Sequence, residues 1–140
     1  MTNKLRPNKP TETELRILKV LWKHEDQQPL SVREVMGHLD ANVGYTTILK
    51  LLQIMFSKGL VDRDETERTH RYSAAAPRTE IEGGLVKDLL HRLFDGSASQ
   101  LVQTAIDNRD LDTDELRHIE DMIRSARKRA TQRSAEGDSQ

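Results

Sequence analysis

The stretch "GYTTILKLLQIMFSKGL", Gly44 to Leu60, decides the fold. Over its first twelve positions Lys50 is the only charged residue. At helical spacing Thr46, Lys50, Gln53 and Ser57 fall on one stripe, while Ile48, Leu51, Leu52 and Met55 take the opposite side, widened by Leu49, Ile54 and Phe56. The wet face of an ordinary surface helix is rich in charged residues of both signs. A narrow stripe of Thr, Lys, Gln and Ser is instead a face kept clear of acids.

The flanks of this helix carry equally plain signals. Upstream, "TETE" is a capping box in which the Thr11 hydroxyl and the Glu14 carboxylate satisfy exposed amides, opening a helix with Leu15, Leu18, Leu21 and Trp22 as its buried stripe. "HEDQQP" ends that helix before Pro29. "SVRE" repeats the box with Ser31 and Glu34, and Val32, Val35, Met36 and Leu39 face inward; "DANVG" is the short turn that follows. Downstream, Gly59 suits a helix C-terminal cap. "LVDRD" and "THRYSA" then alternate like strands around the polar "ETER", with no Asn-Gly or Asp-Gly to fix the hairpin register. Three helices followed by a charged hairpin make a winged helix-turn-helix, expected over residues 11–77.

From Arg78 the period is helical again. Ile81, Leu85, Leu89 and Leu93 recur at every fourth position beside Val86, Leu90 and Phe94. "DGS" breaks that helix, and Ser97 caps a short one holding Leu101, Val102, Ala105 and Ile106. "DTDE", Asp112 to Glu115, caps the last, with Leu116, Ile119, Ile123 and Ala126 along one side. Such stripes exceed what a small N-terminal domain can cover, so residues 78–130 are expected to form a helical dimerisation region. Leu85, Leu89, Leu93, Leu101, Val102, Ile106, Leu116, Ile119 and Ile123 would be its contacts. Residues 1–10 read as a flexible basic arm and residues 131–140 as a disordered tail. The fold class is mainly α with a small β-hairpin wing.

Composition narrows the function. The 140-residue chain has a net charge of −1, with 32% charged and 4% aromatic residues. The balance hides a division: residues 1–78 hold 13 basic and 10 acidic residues, net +3, and residues 79–140 hold 9 and 13, net −4. With no cysteine there are no disulfides, thiolate metal sites or cysteine nucleophiles. No apolar run approaches a membrane span and "MTNKLRPNKP" is no signal peptide, so a cytoplasmic protein is expected. The five histidines are dispersed with no pair at i+3 or i+4, and no phosphate loop or nucleophile elbow occurs. No metal, cofactor or enzymatic activity is expected.

In a helix-turn-helix the third helix lies in the major groove. Thr46, Lys50 and Gln53 match groove chemistry: Gln to an adenine edge, Lys to guanine acceptors or phosphate, the Thr methyl to thymine. Tyr45, Thr46 and Thr47 stand at the helix start, where free amides bind phosphate. Arg63, Arg68, His70 and Arg71 on the hairpin would grip the backbone or minor groove, while Tyr72 is read as wing core. "RSARKRATQR", Arg124 to Arg133, is read as a solvated helix end.

"YTTILKLLQIMFSKGLVDRDETERTHRYSA" resembles the recognition helix and wing of the penicillinase-repressor family (BlaI/MecI/CopY type), "PTETELRILKVLW" and "SVREVMGHL" its first two helices, and "LFDGSASQLV" and "LDTDELRHIEDMI" its dimerisation helices. The resemblance spans roughly residues 10–128. It implies a homodimeric repressor on a palindromic double-stranded DNA operator, and, from several members, relief when a membrane sensor metalloprotease cuts the chain in response to a β-lactam. Aligned through Asp110-Leu111, the family's Asn-Phe cleavage bond falls at Thr104-Ala105. The chain departs from the family in two places. It lacks the cysteines of the copper-responsive branch, and it has Ile54-Met55 where the family helix often has Arg-Leu. Two other classes stay open: a winged-helix repressor that binds a small ligand between wing domain and dimerisation helices, and a protein–protein adaptor that binds no DNA.

Overall fold

The computed structural model describes residues 9–39 and 42–138. The expected flexible arm falls outside them except for residues 9 and 10, as do Asp40 and Ala41 of the expected turn and the last two residues of the expected tail.

Helix α1 (Glu12–Lys23) opens on the expected capping box: Glu14 N–H donates to the Thr11 hydroxyl at 3.2 Å and Thr11 N–H to the Glu14 carboxylate at 2.9 Å. A 3₁₀ turn (Glu25–Gln27) leads into strand β1 (Leu30–Ser31), and Ser31 is also the N-cap of α2 (Val32–His38), with the second capping box complete. Helix α3 (Tyr45–Lys58) ends at Gly59, whose φ of +80° is the left-handed conformation glycine accepts without a Cβ clash.

Strands β2 (Val61–Asp64) and β3 (Arg71–Ala74) pair antiparallel, with Val61 opposite Ala74 and Arg63 opposite Tyr72. The hairpin has a partner that the sequence did not announce. β1 lies on the other side of β3, Leu30 opposite Tyr72, giving a three-stranded sheet in the order β1-β3-β2. Two residues are too short to show a period, so only the fold reveals them as a strand.

The core joins Ile17, Leu18 and Leu21 of α1, Val32 and Val35 of α2, Ile48, Leu52 and Met55 of α3, and Leu30, Val61 and Tyr72 of the sheet. The buried face of α1 thus runs through Ile17 and Val20, with Leu15 and Trp22 only half-buried. It also includes Glu14, 2% exposed, whose carboxylate accepts from Lys58 at 2.7 Å. Tyr72 is wing core, and its hydroxyl is buried without a hydrogen-bond partner even though the Arg63 guanidinium lies nearby. Removing an unsatisfied buried hydroxyl relieves a desolvation cost. Tyr72→Phe is therefore expected to leave stability unchanged or raise it by up to about 1 kcal/mol. A urea unfolding curve checks this, and a loss above that size would mean the hydroxyl is satisfied.

The chain divides into two compact units, the first ending at Leu89 and the second starting at Leu90. The division lies inside α4 (Arg78–Phe94) because the start of that helix belongs to the first unit, where Ile81 packs on the core. In the second unit, Asp95 and Gly96 break α4 at positive φ, Ser97 caps α5 (Ala98–Asp107), and the Asp112 carboxylate accepts from Glu115 N–H ahead of α6 (Thr113–Asp138). Helix α6 corrects the expected tail. Residues 131–138 continue the helix, since Ala, Arg, Gln and Glu favour it and nothing before Gly137 interrupts it.

Candidate nucleic-acid interface

The exposed face of α3 is built from its start. Gly44, the N-cap, supplies no side-chain acceptor, and the first turn has no acid, so the leading amides of the helix have no side-chain partner. Tyr45, Thr46 and Thr47 are exposed around them. The Arg33 guanidinium of α2 lies 5.3 Å from the centre of the Tyr45 ring, bringing a cation to this end of the helix. Lys50, Gln53 and Ser57 continue the exposed stripe. Ile54 departs from expectation. The sequence pattern places it on the widened apolar side, yet it is 39% exposed, one turn after Lys50 and beside Gln53. Phe56 is likewise exposed, and the Arg63 guanidinium covers it at 4.1 Å.

The wing cations divide into held and free. Arg63 pairs with Glu65 at 2.8 Å. Arg71 pairs with Glu34 of α2 at 2.9 Å, on the carboxylate oxygen that also accepts the Ser31 N–H. That amide, above all, holds the Glu34 carboxyl below its ordinary range, and Arg71 adds to it. Asp64 at the wing's base is held low mainly by the Thr66 N–H. The polar tip carries Arg68, exposed and without an ion pair among the described residues, and His70, half-exposed. Arg71 thus ties the sheet to α2, and Arg68 is the cation left free. Sequence spacing could not separate them, because the partner of Arg71 lies 37 residues away.

The fold also brings together two histidines that the sequence left dispersed. His24 and His38, at the ends of α1 and α2, stack with ring centres 3.8 Å apart. No group of three metal-ligating side chains occurs among the described residues. No described helix is long and apolar enough to cross a membrane.

The chain matches the penicillinase repressor profile over residues 10–125, which includes α1, α2, α3, the wing and most of the second unit. It belongs to the penicillinase repressor family. Among curated relatives, it is 32% identical over 91 residues to the transcriptional regulator BlaI of Mycobacterium tuberculosis (strain H37Rv), a stretch covering 64% of each chain. It is 18% identical over 113 residues to the methicillin resistance regulatory protein MecI of Staphylococcus aureus (strain N315), covering 81% of this chain and 91% of that one. The stretch shared with the mycobacterial relative is thus under two thirds of that protein. These relatives are named as regulators, not as enzymes. Thr104 and Ala105, onto which the family's cleavage bond aligns, sit exposed in α5, where the Thr104 carbonyl accepts from the backbone and side chain of Asn108.

Proposed function

We propose that the protein is a sequence-specific transcriptional repressor that binds a palindromic DNA operator as a homodimer. The acid-free exposed face of α3 carries the reading. Thr46, Lys50 and Gln53 face outward from a helix whose start offers amides to phosphate, and Arg68 stands at the wing tip. Ile54 adds an apolar surface suited to a thymine methyl. Two such helices one DNA turn apart require an inverted repeat with half-sites about 10 base pairs apart, or a multiple of that.

Base readers and phosphate contacts respond differently. Gln53→Ala is expected to cost roughly 1–3 kcal/mol on the selected site and to relax specificity there. Arg68→Ala is expected to weaken all sequences alike and to lower the slope of affinity against salt by about one ion. Arg71→Ala acts on the wing's attachment to α2, so it belongs with stability and not with the salt slope. Binding titrations on selected and random DNA at several salt concentrations separate these cases. Equal losses from Gln53→Ala and Arg68→Ala on random DNA would remove the stripe from the readout, and no salt-dependent binding at all would leave an adaptor.

Relief of repression is proposed to follow cutting near residues 100–110. The segment is exposed, and a cut there separates α6 from α4, leaving each copy with half-site contacts only. In cells given a cell-wall antibiotic, an immunoblot is expected to show a shortened chain as repression lifts. Full-length protein during derepression would point to a bound inducer instead. The cleft of about 690 Å³ beside Trp22, lined by Lys19, Lys23 and Arg78, is where such a ligand would be sought.

A further inference from the structure

Helix α6 has two chemically opposite halves. Residues 112–121 hold five acids, Asp112, Asp114, Glu115, Glu120 and Asp121, against Arg117. Residues 122–135 hold Arg124, Arg127, Lys128, Arg129 and Arg133 and no acid. Arg117 and Arg124 lie near acids of their own helix, whereas the four later cations make no ion pair with the described residues. One stripe runs through both halves at alternating spacings of three and four: Leu116, Ile119, Ile123, Ala126, Ala130. Leu116 and Ile119 mark its acidic half, and Ile123 opens a basic half that continues with the alanines. On this seam Leu116 is 39% and Ile123 49% exposed, with Ile119 half-buried, so most of it is uncovered in the single chain. The basic half from residue 126 onward also lies beyond the stretch that matches the family.

We propose that α6 pairs antiparallel with α6 of a second copy of this chain, the acidic half of each lying on the basic half of the other. This deepens the homodimer reading and rests on it. A parallel pair would set five acids beside five acids and five cations beside five cations across a seam narrower than a Debye length. The antiparallel pair turns both repulsions into attractions and opposes the two helix dipoles. It also solves the packing. With Ile123 facing the partner's Ala126, Ile119 faces Ala130, so each isoleucine meets an alanine, and Leu116 meets the aliphatic stem of Arg133. In the same register Glu120 flanks Arg127 on both sides of the axis.

A chain without cysteine makes the test direct. Ile119→Cys and Ala130→Cys proteins are oxidised separately and after mixing. The expected result is a cross-linked dimer from the mixture and little from either alone. In this register residue 119 is displaced from its own counterpart by about 11 residues, about 16 Å along the helix. A disulfide spans Cα atoms only up to about 7 Å apart. Arg127→Glu is expected to weaken the dimer at least tenfold at low salt, with Glu120→Arg in the same chain restoring it. Efficient self-cross-linking of Ile119→Cys would make the pair parallel and overturn the proposal. So would a dimer by sedimentation in which the mixture does not cross-link. A monomer by sedimentation would instead overturn the homodimer reading beneath it. If Arg127→Glu lowers DNA affinity while the dimer and its cross-link persist, the basic half serves DNA and the pairing is wrong.

Discussion

Lys58→Met is expected to destabilise the N-terminal unit by about 3–5 kcal/mol, because it strands a buried carboxylate. Glu14 lies in the first turn of α1 and Lys58 at the last position of α3, 44 residues later. The same carboxylate oxygen accepts Thr11 N–H and Lys58 Nζ, so the ion pair fixes a helix start and a helix end against each other. The lysine is about one quarter exposed and the glutamate almost not at all, so losing the lysine is the costlier cut. Against a typical total of about 5–15 kcal/mol the loss is large. It also frees the C-terminal end of the helix proposed to read DNA. Urea unfolding followed by the fluorescence of Trp22, the only tryptophan, measures it. Glu14→Gln in the Lys58→Met background is expected to recover most of the loss, since an amide oxygen still accepts from Thr11 and carries no charge. A single-mutant cost below about 1 kcal/mol would show that water reaches the carboxylate and that the pair behaves as a surface salt bridge.

Glu14 also shows where sequence reading reaches its limit. Both capping boxes, the glycine cap at Gly59 and the break at Asp95-Gly96 were legible because each depends on residues within four positions of one another. The same locality that revealed Glu14 as a cap concealed it as a core residue. A pattern that counts apolar positions assigns the buried face to Leu15, and only Lys58, distant in the chain, makes a carboxylate tolerable there. Ile54 and Phe56 failed for a related reason. Helix α3 is apolar around most of its circumference, so periodicity alone does not say which apolar residue faces water. The stripe Thr46, Lys50, Gln53 was readable because its polar residues had no apolar competitor on that face. Arg63 and Arg71 looked equivalent to Arg68 in sequence and differ through partners supplied by the sheet and by α2. Residues 131–138 of the expected tail are helical because most of them sustain a helix already under way.

Leu89→Asp with Ile119→Asp is expected to convert the full chain to a monomer at micromolar concentration and to lower operator affinity by about 10²–10⁴. None of the described residues of α4, α5 or α6 is buried in the single chain, and Leu93 is 65% exposed. With it stand Val86, Leu89, Val102, Ile106, Leu116, Met122 and Ile123, a set too large for scattered surface residues of a monomer. Each such side chain contributes about 1.5–3 kcal/mol when fully buried, so a few of them sealed against a second copy suffice for a stable dimer. An aspartate placed among them removes an apolar contact and must give up its hydration to enter the seam, and every 1.4 kcal/mol of that cost is tenfold in the dimer constant. The DNA effect follows without any change at the DNA surface. In the proposed dimer the second half-site is met at an effective concentration near millimolar, and a monomer loses that advantage entirely. Binding of one half-site should keep its sequence preference, because α3 and the wing are untouched. Sedimentation and operator titration of the same preparation test both halves of the claim. A double mutant that stays dimeric would place the interface elsewhere, and a monomer with undiminished operator affinity would mean that one recognition helix suffices.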